Sequence, residues 1–421
     1  MPHEVRRNTL KRRVNILSDP RFRLVYGNIC RFREGFKPKK LRLNREQFTL
    51  LPDIKKKTPV YPGMLLAEHP SLEKGDLHAP VYGVISDINV RSIFIDVLPD
   101  DKVDASAFPE VERVALLDSD LRGEDLVLAV KKLGVNTRSL GQRTKTLVIN
   151  GLNPEPNITW AEDMLVEYVD EIKAGIELMR RFGRAEEIIL AVPKGGEVKV
   201  DGVRIVEVEP EYPNSISELL IKQITKKENP EGWASVGIHN VWSLGHVALT
   251  GLPLMETVIT VSVDEHRANY LVANGSIVGD LIEYTNVTLK NGDTILRGGP
   301  LRGESLDQLD RSITKGTQGF FVVRKGTIPP MEGDSICVNC GACLLVCPTR
   351  IDPRMLSRYA EFNKYGMSRK ENFHLCVDCG LCSYVCIARR PVLQYIRLAV
   401  SKLRQEEAMA KLTPIVPVSK D

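Results

Sequence analysis

The sequence predicts an α/β protein of several domains, and three observations support this. The chain has 421 residues, of which 43% are hydrophobic, enough for two or three separate cores. Short apolar runs suited to strands alternate with a long amphipathic segment between residues 111 and 210. Eight of the nine cysteines lie within residues 337–386. Such clustering argues against a disulfide framework, which would spread its bridges through a small secreted chain.

Charge is distributed unevenly along the chain. Residues 1–57 contain 17 Lys and Arg against 5 Asp and Glu, a net charge of +12, and the remainder carries −8. A basic arm at 1–57 indicates an anionic partner surface, with a solvated tail as the alternative. There is no run of 18 apolar residues, and no apolar segment follows the basic N-terminus as in a secretory signal. We therefore expect a cytoplasmic protein.

The middle of the chain predicts two kinds of sheet. Residues 58–98 indicate a β-rich unit, because turn signals such as Pro62-Gly63 separate short apolar runs. A long amphipathic helix is predicted from Glu162 to Arg184, and strand–helix–strand order around it implies a parallel sheet. Residues 235–325 return to strands, with a helix near Val278–Glu283. The strands of the parallel sheet are predicted at 146–150, 187–192 and 203–208.

Two copies of one cysteine spacing occupy the C-terminal part. The spacing C-x2-C-x2-C-x3-C is that of the bacterial [4Fe–4S] run, whose fourth cysteine ligates the other cluster in two-cluster proteins. Pro348 follows the first run, whereas Ile387 follows the second, and neither position is a ligand. We therefore expect two [4Fe–4S] clusters. Their predicted ligands are Cys337, Cys340, Cys343 and Cys386 for one cluster, and Cys376, Cys379, Cys382 and Cys347 for the other.

Other readings of the polar residues carry less weight. Two four-cysteine zinc sites are the alternative to iron, but zinc favours separated C-x2-C pairs. Cys30 stands alone and is interpreted as a buried small hydrophobic residue. The pair Arg389-Arg390 follows a cluster loop and is interpreted as solvated, with tuning of the cluster potential as the alternative.

Further segments along the chain form a recognisable set. They are Phe32–Lys40, residues 58–90, Tyr212-Pro213 with Glu218–Lys222, the turn Gly298–Gly303, and Pro391–Arg397. Together with the cysteine runs, they resemble the C subunit (RnfC) of the Rnf ion-translocating electron-transport complex, and more distantly the A subunit of the sodium-pumping NADH:quinone reductase. The resemblance implies five parts. These are a basic arm (1–57), a lipoyl-like β barrel (58–110), a Rossmann-like α/β domain (111–234), a β-grasp domain (235–328) and a helical ferredoxin-like domain with two [4Fe–4S] clusters (329–421).

Departures from the family pattern concern its flavin site. Typical members carry a glycine-rich loop whose backbone amides cradle the flavin phosphate at a helix start. The corresponding stretch here, residues 132–141, has lost the glycine cluster, and bulky side chains replace it. Ser215 replaces a glycine after Tyr212-Pro213, and an acidic residue that precedes Glu155 in the family is also replaced. We therefore expect that FMN and NAD(H), which the family implies, do not bind here.

These observations predict an electron-transfer subunit of an Rnf-like membrane-associated oxidoreductase complex, with no catalytic residue of its own. The expected partners are other subunits of the complex and a redox protein such as ferredoxin or a flavoprotein. Peripheral contact with the cytoplasmic membrane is expected, whereas nucleic acid is not, because the arm lacks interleaved aromatic residues. Two alternatives stay open: a complete FMN-dependent, NADH-oxidising RnfC protein, and a soluble ferredoxin-like carrier.

Overall fold

The computed structural model describes residues 32–33, 35–139, 143–196, 198, 200–264, 266–326 and 335–412. These residues divide into two compact units, one ending at residue 325 and one beginning at residue 326. Most of the predicted basic arm, residues 1–31, and with it Cys30, lies outside the described residues. Within the described part of the chain, no helix is both long and apolar enough to cross a bilayer.

The first module of the larger unit consists of two small antiparallel sheets. Their strands are β1 (Lys40–Asn44), β2 (Thr49–Leu50), β3 (Pro59–Val60), β4 (Leu65–Glu68), β5 (Leu77–His78), β6 (Gly83–Ile88) and β7 (Ser92–Val97). The sheet orders are β1-β7-β6-β3 and β2-β4-β5. Leu41 and Leu43 alternate with polar residues along β1 and are buried in the common core. Strand β1 therefore belongs to this module, although the sequence places it in the basic arm.

The second module is a parallel sheet covered by helices. Its strands are β8 (Thr144–Asn150), β9 (Ala185–Pro193), β10 (Arg204–Val208) and β11 (Trp233–Gly237). Their order is β10-β9-β8-β11, and all neighbours are parallel, which confirms the predicted parallel arrangement. The helices are α1 (Gly123–Lys132), α2 (Trp160–Glu167), α3 (Val169–Phe182), α4 (Ser217–Thr225) and α5 (Ile238–Thr250). Because β11 pairs with β8 and α5 packs against α3, the module extends beyond the predicted boundary at residue 234.

The single helix predicted from Glu162 to Arg184 is wrong. The chain forms α2 and α3, separated at Tyr168, where the backbone adopts φ −116° and ψ 39°. The Tyr168 ring lies 4.9 Å from Phe32 and 5.8 Å from Trp242, so tertiary aromatic packing holds the break in place. Helices α3 and α5 approach closely, since a Cβ atom on Gly245 would lie 1.6 Å from the carbonyl oxygen of Glu171.

The third module is a mixed five-stranded sheet with one helix. Its strands are β12 (Glu256–Val263), β13 (His266–Ala273), β14 (Thr294–Arg297), β15 (Glu304–Ser305) and β16 (Gly319–Val323), in the order β13-β12-β16-β14-β15. Helix α6 (Val278–Tyr284) confirms the predicted helix. Ile259, Leu281 and Phe320 are fully buried in the core between this helix and the sheet.

The smaller unit is helical. It contains α7 (Ala342–Val346), α8 (Pro353–Glu361), α9 (Leu381–Tyr384) and α10 (Val392–Leu412), with short 3-10 segments at Tyr365–Glu371 and Phe373–Leu375. Its small apolar core joins α8 to α10 through Leu356, Val392 and Ile396. Several cysteines pack against this core, so the cysteine loops are part of the fold of the unit.

Candidate metal centre

The two cysteine loops have the same backbone course. In the first loop Asn339 has φ 57° and Gly341 has φ 72°, and in the second Asp378 has φ 54° and Gly380 has φ 79°. The two positive φ values turn each loop back on itself, and a glycine is the residue that adopts this conformation without strain. Each loop then enters a short helix, α7 or α9, directly after its glycine. The sequence duplication is therefore also a structural duplication.

The eight predicted cysteines line two cavities, four in each. The first cysteine set lines one cavity and consists of Cys337, Cys340, Cys343 and Cys386. The second cysteine set lines the other and consists of Cys347, Cys376, Cys379 and Cys382. The fourth cysteine of each run thus lies with the first three cysteines of the other run. These are the groupings that the spacing predicts.

The two sets differ in exposure and in what surrounds them. Cys340 in the first set is exposed, whereas Cys379 and Cys382 in the second set are buried. Apart from its cysteines, the second cavity is lined by Thr349, Gly380 and apolar side chains. The first cavity is instead lined by two arginines, Arg354 and Arg390. Water and charge are therefore closer to the first set.

Burial controls the protonation of these thiols. Burial raises the pKa of Cys343 to about 11, with the Asp352 carboxylate adding to the effect. Burial likewise raises the pKa of Cys379 to about 12 and that of Cys382 well above its ordinary value. A thiolate in such a place needs a cation, and iron ligation supplies one while displacing the proton.

Several donors already point at the cysteine sulfurs. The backbone N–H of Arg390 donates to Cys386 Sγ at 3.4 Å, and the Thr349 hydroxyl lies 3.5 Å from Cys347 Sγ. The backbone N–H of Leu381 also donates to Cys379. Such donors stabilise thiolate ligands and tune iron–sulfur clusters. The donor set of thiols with N–H groups around them fits [4Fe–4S] clusters.

A site that could hold one isolated metal ion is a separate question from a cluster site. No three His, Cys, Asp or Glu side chains among the described residues lie close enough together to chelate a single metal ion. A four-iron cluster has a different requirement, because its four cysteines surround the whole cluster.

Three ion pairs border the cysteine loops. Arg390 pairs with Glu361 at 2.7 Å, Arg354 with Asp352 at 2.9 Å, and Arg397 with Asp378 at 2.6 Å. The interpretation of Arg390 as solvated is wrong, because the residue is 2% exposed. Sequence reasoning did not single out Arg354. A usable signal was Asp352-Pro353, a helix start that places the next residue in the first turn of α8 beside the first loop.

Polar groups at the carboxyl edge of the parallel sheet bond to one another. The carboxylate of Glu155, which is 1% exposed, accepts the backbone N–H groups of Gly299 at 2.8 Å and of Leu301 and Arg302 at 3.1 Å. The turn Gly298–Gly303 is thus a group of amides already occupied by a carboxylate of the same chain.

Neighbouring positions at this edge are also filled. The Ser215 hydroxyl donates to the carbonyl oxygen of Pro154 at 3.1 Å, and the Asn150 amide donates to the carbonyl oxygen of Ser215 at 2.7 Å. In the stretch that replaces the glycine-rich loop, residues 140–142 lie outside the described residues. The preceding amides of Thr137 and Arg138 both donate to the carbonyl oxygen of Glu73.

Comparison with known proteins places these observations in a family. No family model matches the chain. The chain is 30% identical over 282 residues to the C subunit of a Clostridium ljungdahlii complex named proton-translocating ferredoxin:NAD(+) oxidoreductase, covering 62% of each protein. It is 28% identical over 302 residues to the C subunit of the ion-translocating oxidoreductase complex of Pasteurella multocida, covering 67% of this chain and 36% of that one.

The segment similar to the corresponding C subunit of Haemophilus influenzae is longer. It is 26% identical over 389 residues and covers 84% of this chain and 47% of that one. Across these three relatives the chain spans between about a third and three fifths of their length. A solved NAD+-reducing [NiFe]-hydrogenase overlaps with a TM-score of 0.41 at 12% identity, covering 73% of this chain and 70% of that one, which is too loose for an argument about fold. The sequence matches confirm the predicted resemblance: the chain is related to the C subunits (RnfC) of ion-translocating oxidoreductase complexes.

Proposed function

We propose that this protein is an electron-transfer subunit of an Rnf-like oxidoreductase complex and relays electrons through two [4Fe–4S] clusters. The observation that carries the proposal is the sorting of eight cysteines into two four-cysteine cavities. The clusters would supply one-electron chemistry, in which no bond to a substrate forms. The first cysteine set would hold one cluster and the second cysteine set the other.

The chain contributes position and environment. The left-handed residues at Gly341 and Gly380 hold each loop in the turn that lets three cysteines face one cavity. Apolar side chains around the second set, including Ile351 and Leu393, exclude water from it. Each fourth cysteine follows the helix that leaves its own loop and lines the cavity of the other loop. The two cavities are therefore tied into one small core, which suits transfer between them.

The proposal includes the absence of a working flavin and NADH site. Two observations support this absence. The Glu155 carboxylate already accepts amides of the Gly298–Gly303 turn, and the amides of Thr137 and Arg138 donate to the carbonyl oxygen of Glu73. A phosphate at either place would need these donors. Acid release of bound small molecules from the purified protein, followed by flavin fluorescence, should give far less than one flavin per chain. A yield near one per chain would favour the complete FMN-dependent protein instead.

The partners are proposed from the relatives' printed names and from charge. Other subunits of a membrane complex would hold the protein at the cytoplasmic face, and the basic residues of 1–57 would add attraction to anionic lipid of about 1 kcal/mol each near the surface. A ferredoxin or a flavoprotein would exchange electrons with it. Purification from membranes at low salt should retain neighbouring subunits, whereas recovery of the protein alone at every salt concentration would favour the soluble carrier.

Metal analysis tests the proposal directly. Protein purified anaerobically should contain about eight irons per chain, because each cubane holds four. Cys340→Ala and Cys379→Ala should each remove about half of the iron and leave the other cluster assembled. Stoichiometric zinc without iron would overturn the proposal and support the zinc alternative.

A further inference from the structure

The first cavity contains two unsatisfied donors. Among the described residues, the buried polar atoms without a hydrogen-bond partner include the Nε atoms of Arg354 and Arg390. Both residues line the cavity of the first cysteine set. Their terminal nitrogens are engaged, since Arg354 bonds to Asn339 at 2.6 Å and to Asp352, and Arg390 bonds to Glu361. A buried N–H without an acceptor is costly, so its presence at this cavity indicates that an acceptor belongs there.

The acceptor that fits is the sulfur of a cluster or of its cysteine ligands. Arg354 lies within electrostatic reach of Cys337 and Cys343, and Arg390 of Cys337. Hydrogen bonds from a charged donor are roughly twice as strong as those between neutral groups. They favour the more negative form of their acceptor, and a reduced cluster carries one more negative charge than the oxidised one.

Nearby carboxylates offset only part of this effect. Asp352 and Glu361 pair with the two arginines, but neither carboxylate lines the cavity. The positive end of each ion pair is therefore the end at the cluster site. Asp352 does act on Cys343, whose pKa it raises, and this opposes the arginines at that one ligand.

The second cavity differs in each of these respects. No charged side chain appears among the described residues that line it. Arg397 and Asp378 form an ion pair beside Cys376 without lining the cavity. The donors to its sulfurs are neutral, such as the backbone N–H of Leu381 at Cys379. Added negative charge is poorly solvated there, because Cys379 and Cys382 are buried.

We propose that Arg354 and Arg390 raise the reduction potential of the cluster at the first cysteine set above that of the second, so that an electron moves from the second set to the first. The inference rests on the proposed function. One electron moves: the cluster at the second set is oxidised by one unit and the cluster at the first set is reduced by one. An external one-electron carrier supplies that electron, and no proton moves. Both arginines act on the potential through their charge and their hydrogen bonds to sulfur, and neither forms or breaks a covalent bond.

An anaerobic redox titration followed by electron paramagnetic resonance tests this. The full-length Cys379→Ala and Cys340→Ala proteins each retain one cluster and so assign a potential to each set. The first set should have the higher potential. Arg354→Gln should shift the redox equilibrium of the first cluster about tenfold towards the oxidised form, which lowers its potential by about 59 mV for a one-electron couple. The potential of the second cluster should not change. Arg354→Lys, which retains the charge, should restore part of the shift.

A matched control is Arg358→Gln, which removes an exposed arginine one helical turn further along α8 and should shift neither potential. For Arg390 the double change Arg390→Gln/Glu361→Gln removes both charges and avoids leaving Glu361 unpaired. A higher potential at the second set would overturn the inference, as would an unchanged first-set potential in both variants. Loss of the first cluster in both variants would also overturn it, because the arginines would then be structural. Iron content of the unaltered protein separates these outcomes from failure of the proposed function.

Discussion

The carboxyl edge of the parallel sheet and the cysteine loops differ in how their polar groups are satisfied. At the sheet edge, Glu155 accepts three backbone N–H groups, and Ser215 and Asn150 bond to neighbouring carbonyl oxygens. At the cysteine loops, thiols are held neutral by burial, and the Nε atoms of Arg354 and Arg390 have no acceptor. The amides of the Gly298–Gly303 turn therefore have an acceptor within the chain, whereas the two arginine Nε atoms at the cysteine loops have none among the described residues.

The two regions differ in the free-energy cost of their unpartnered polar groups. A buried polar group without a partner costs about 1–3 kcal/mol, so a ligand that supplies the missing partner stabilises the fold. At the sheet edge, the amides of Gly299, Leu301 and Arg302 already have an acceptor in the Glu155 carboxylate. At the first cysteine set, the proposed cluster would supply the acceptor that the two arginine Nε atoms lack.

Removing iron should unfold the cysteine unit and spare the larger unit. The core of residues 335–412 is small, and several cysteines pack against it. The thiolate–iron bonds of the proposed clusters would therefore provide much of its stability. Amide hydrogen exchange of the full chain, before and after anaerobic iron chelation, should show near-complete loss of protection in α10. Strands β8 and β9 serve as the control in the same molecule and should be unaffected. Equal protection of α10 with and without iron would contradict the account.

Changing Glu155 should destabilise the sheet edge. Glu155→Ala leaves one buried and two half-buried amides without an acceptor and should cost about 3 kcal/mol of unfolding free energy. Urea unfolding followed by tryptophan fluorescence measures it, since all three tryptophans lie in the parallel-sheet module. The matched control Glu304→Ala removes a carboxylate that is 63% exposed and pairs only with Arg297, which should cost less than about 1 kcal/mol. Similar losses in both variants would show that the amides do not depend on Glu155.

Acid should weaken the larger unit through its buried histidines. Burial lowers the pKa of His239 to about 4 and, together with Lys315, that of His78 to about 3, from an ordinary value of 6.5. The unfolded chain therefore binds more protons than the folded one below pH 6.5. Stability is fully present above that pH and falls as the pH drops towards 4.

The slope should be about 1.4 kcal/mol per pH unit for each such histidine. The variant His239→Gln should reduce the slope of unfolding free energy against pH by the contribution of one histidine. Urea unfolding between pH 6.5 and 4 measures it. His266→Gln, at an exposed position on β13, is the control and should leave the slope unchanged. An unaltered slope in His239→Gln would mean that its ring is not held neutral.

Local patterns predicted much of this molecule. The cysteine spacing carries its own grouping, and the apolar runs at β8 and β9 mark the parallel sheet because buried strands need continuous apolar residues. The break at Tyr168 was not predictable, since it depends on ring contacts with Phe32 and Trp242 that are distant in sequence. Burial of Arg390 depends likewise on Glu361, which lies 29 residues away.

The strand β1 was predictable and was missed. Its residues Lys40–Asn44 alternate polar and apolar side chains, which is a strand pattern. Counting charge over residues 1–57 concealed that alternation. The sequence allowed the Gly298–Gly303 turn and Glu155 to be recognised separately. It could not predict that the Glu155 carboxylate accepts the amides of the turn, because the two lie 144 residues apart.

The central claim is that each four-cysteine set takes its fourth ligand from the other run, and double substitutions measured by iron content test it most directly. In Cys386→Ala protein, about four irons should remain. Adding Cys340→Ala should then remove no more iron, because both residues serve the same cluster, whereas adding Cys379→Ala should remove the rest. The opposite pattern, in which Cys379→Ala has no further effect and Cys340→Ala empties the protein, would show that each run holds its own cluster and would contradict the account.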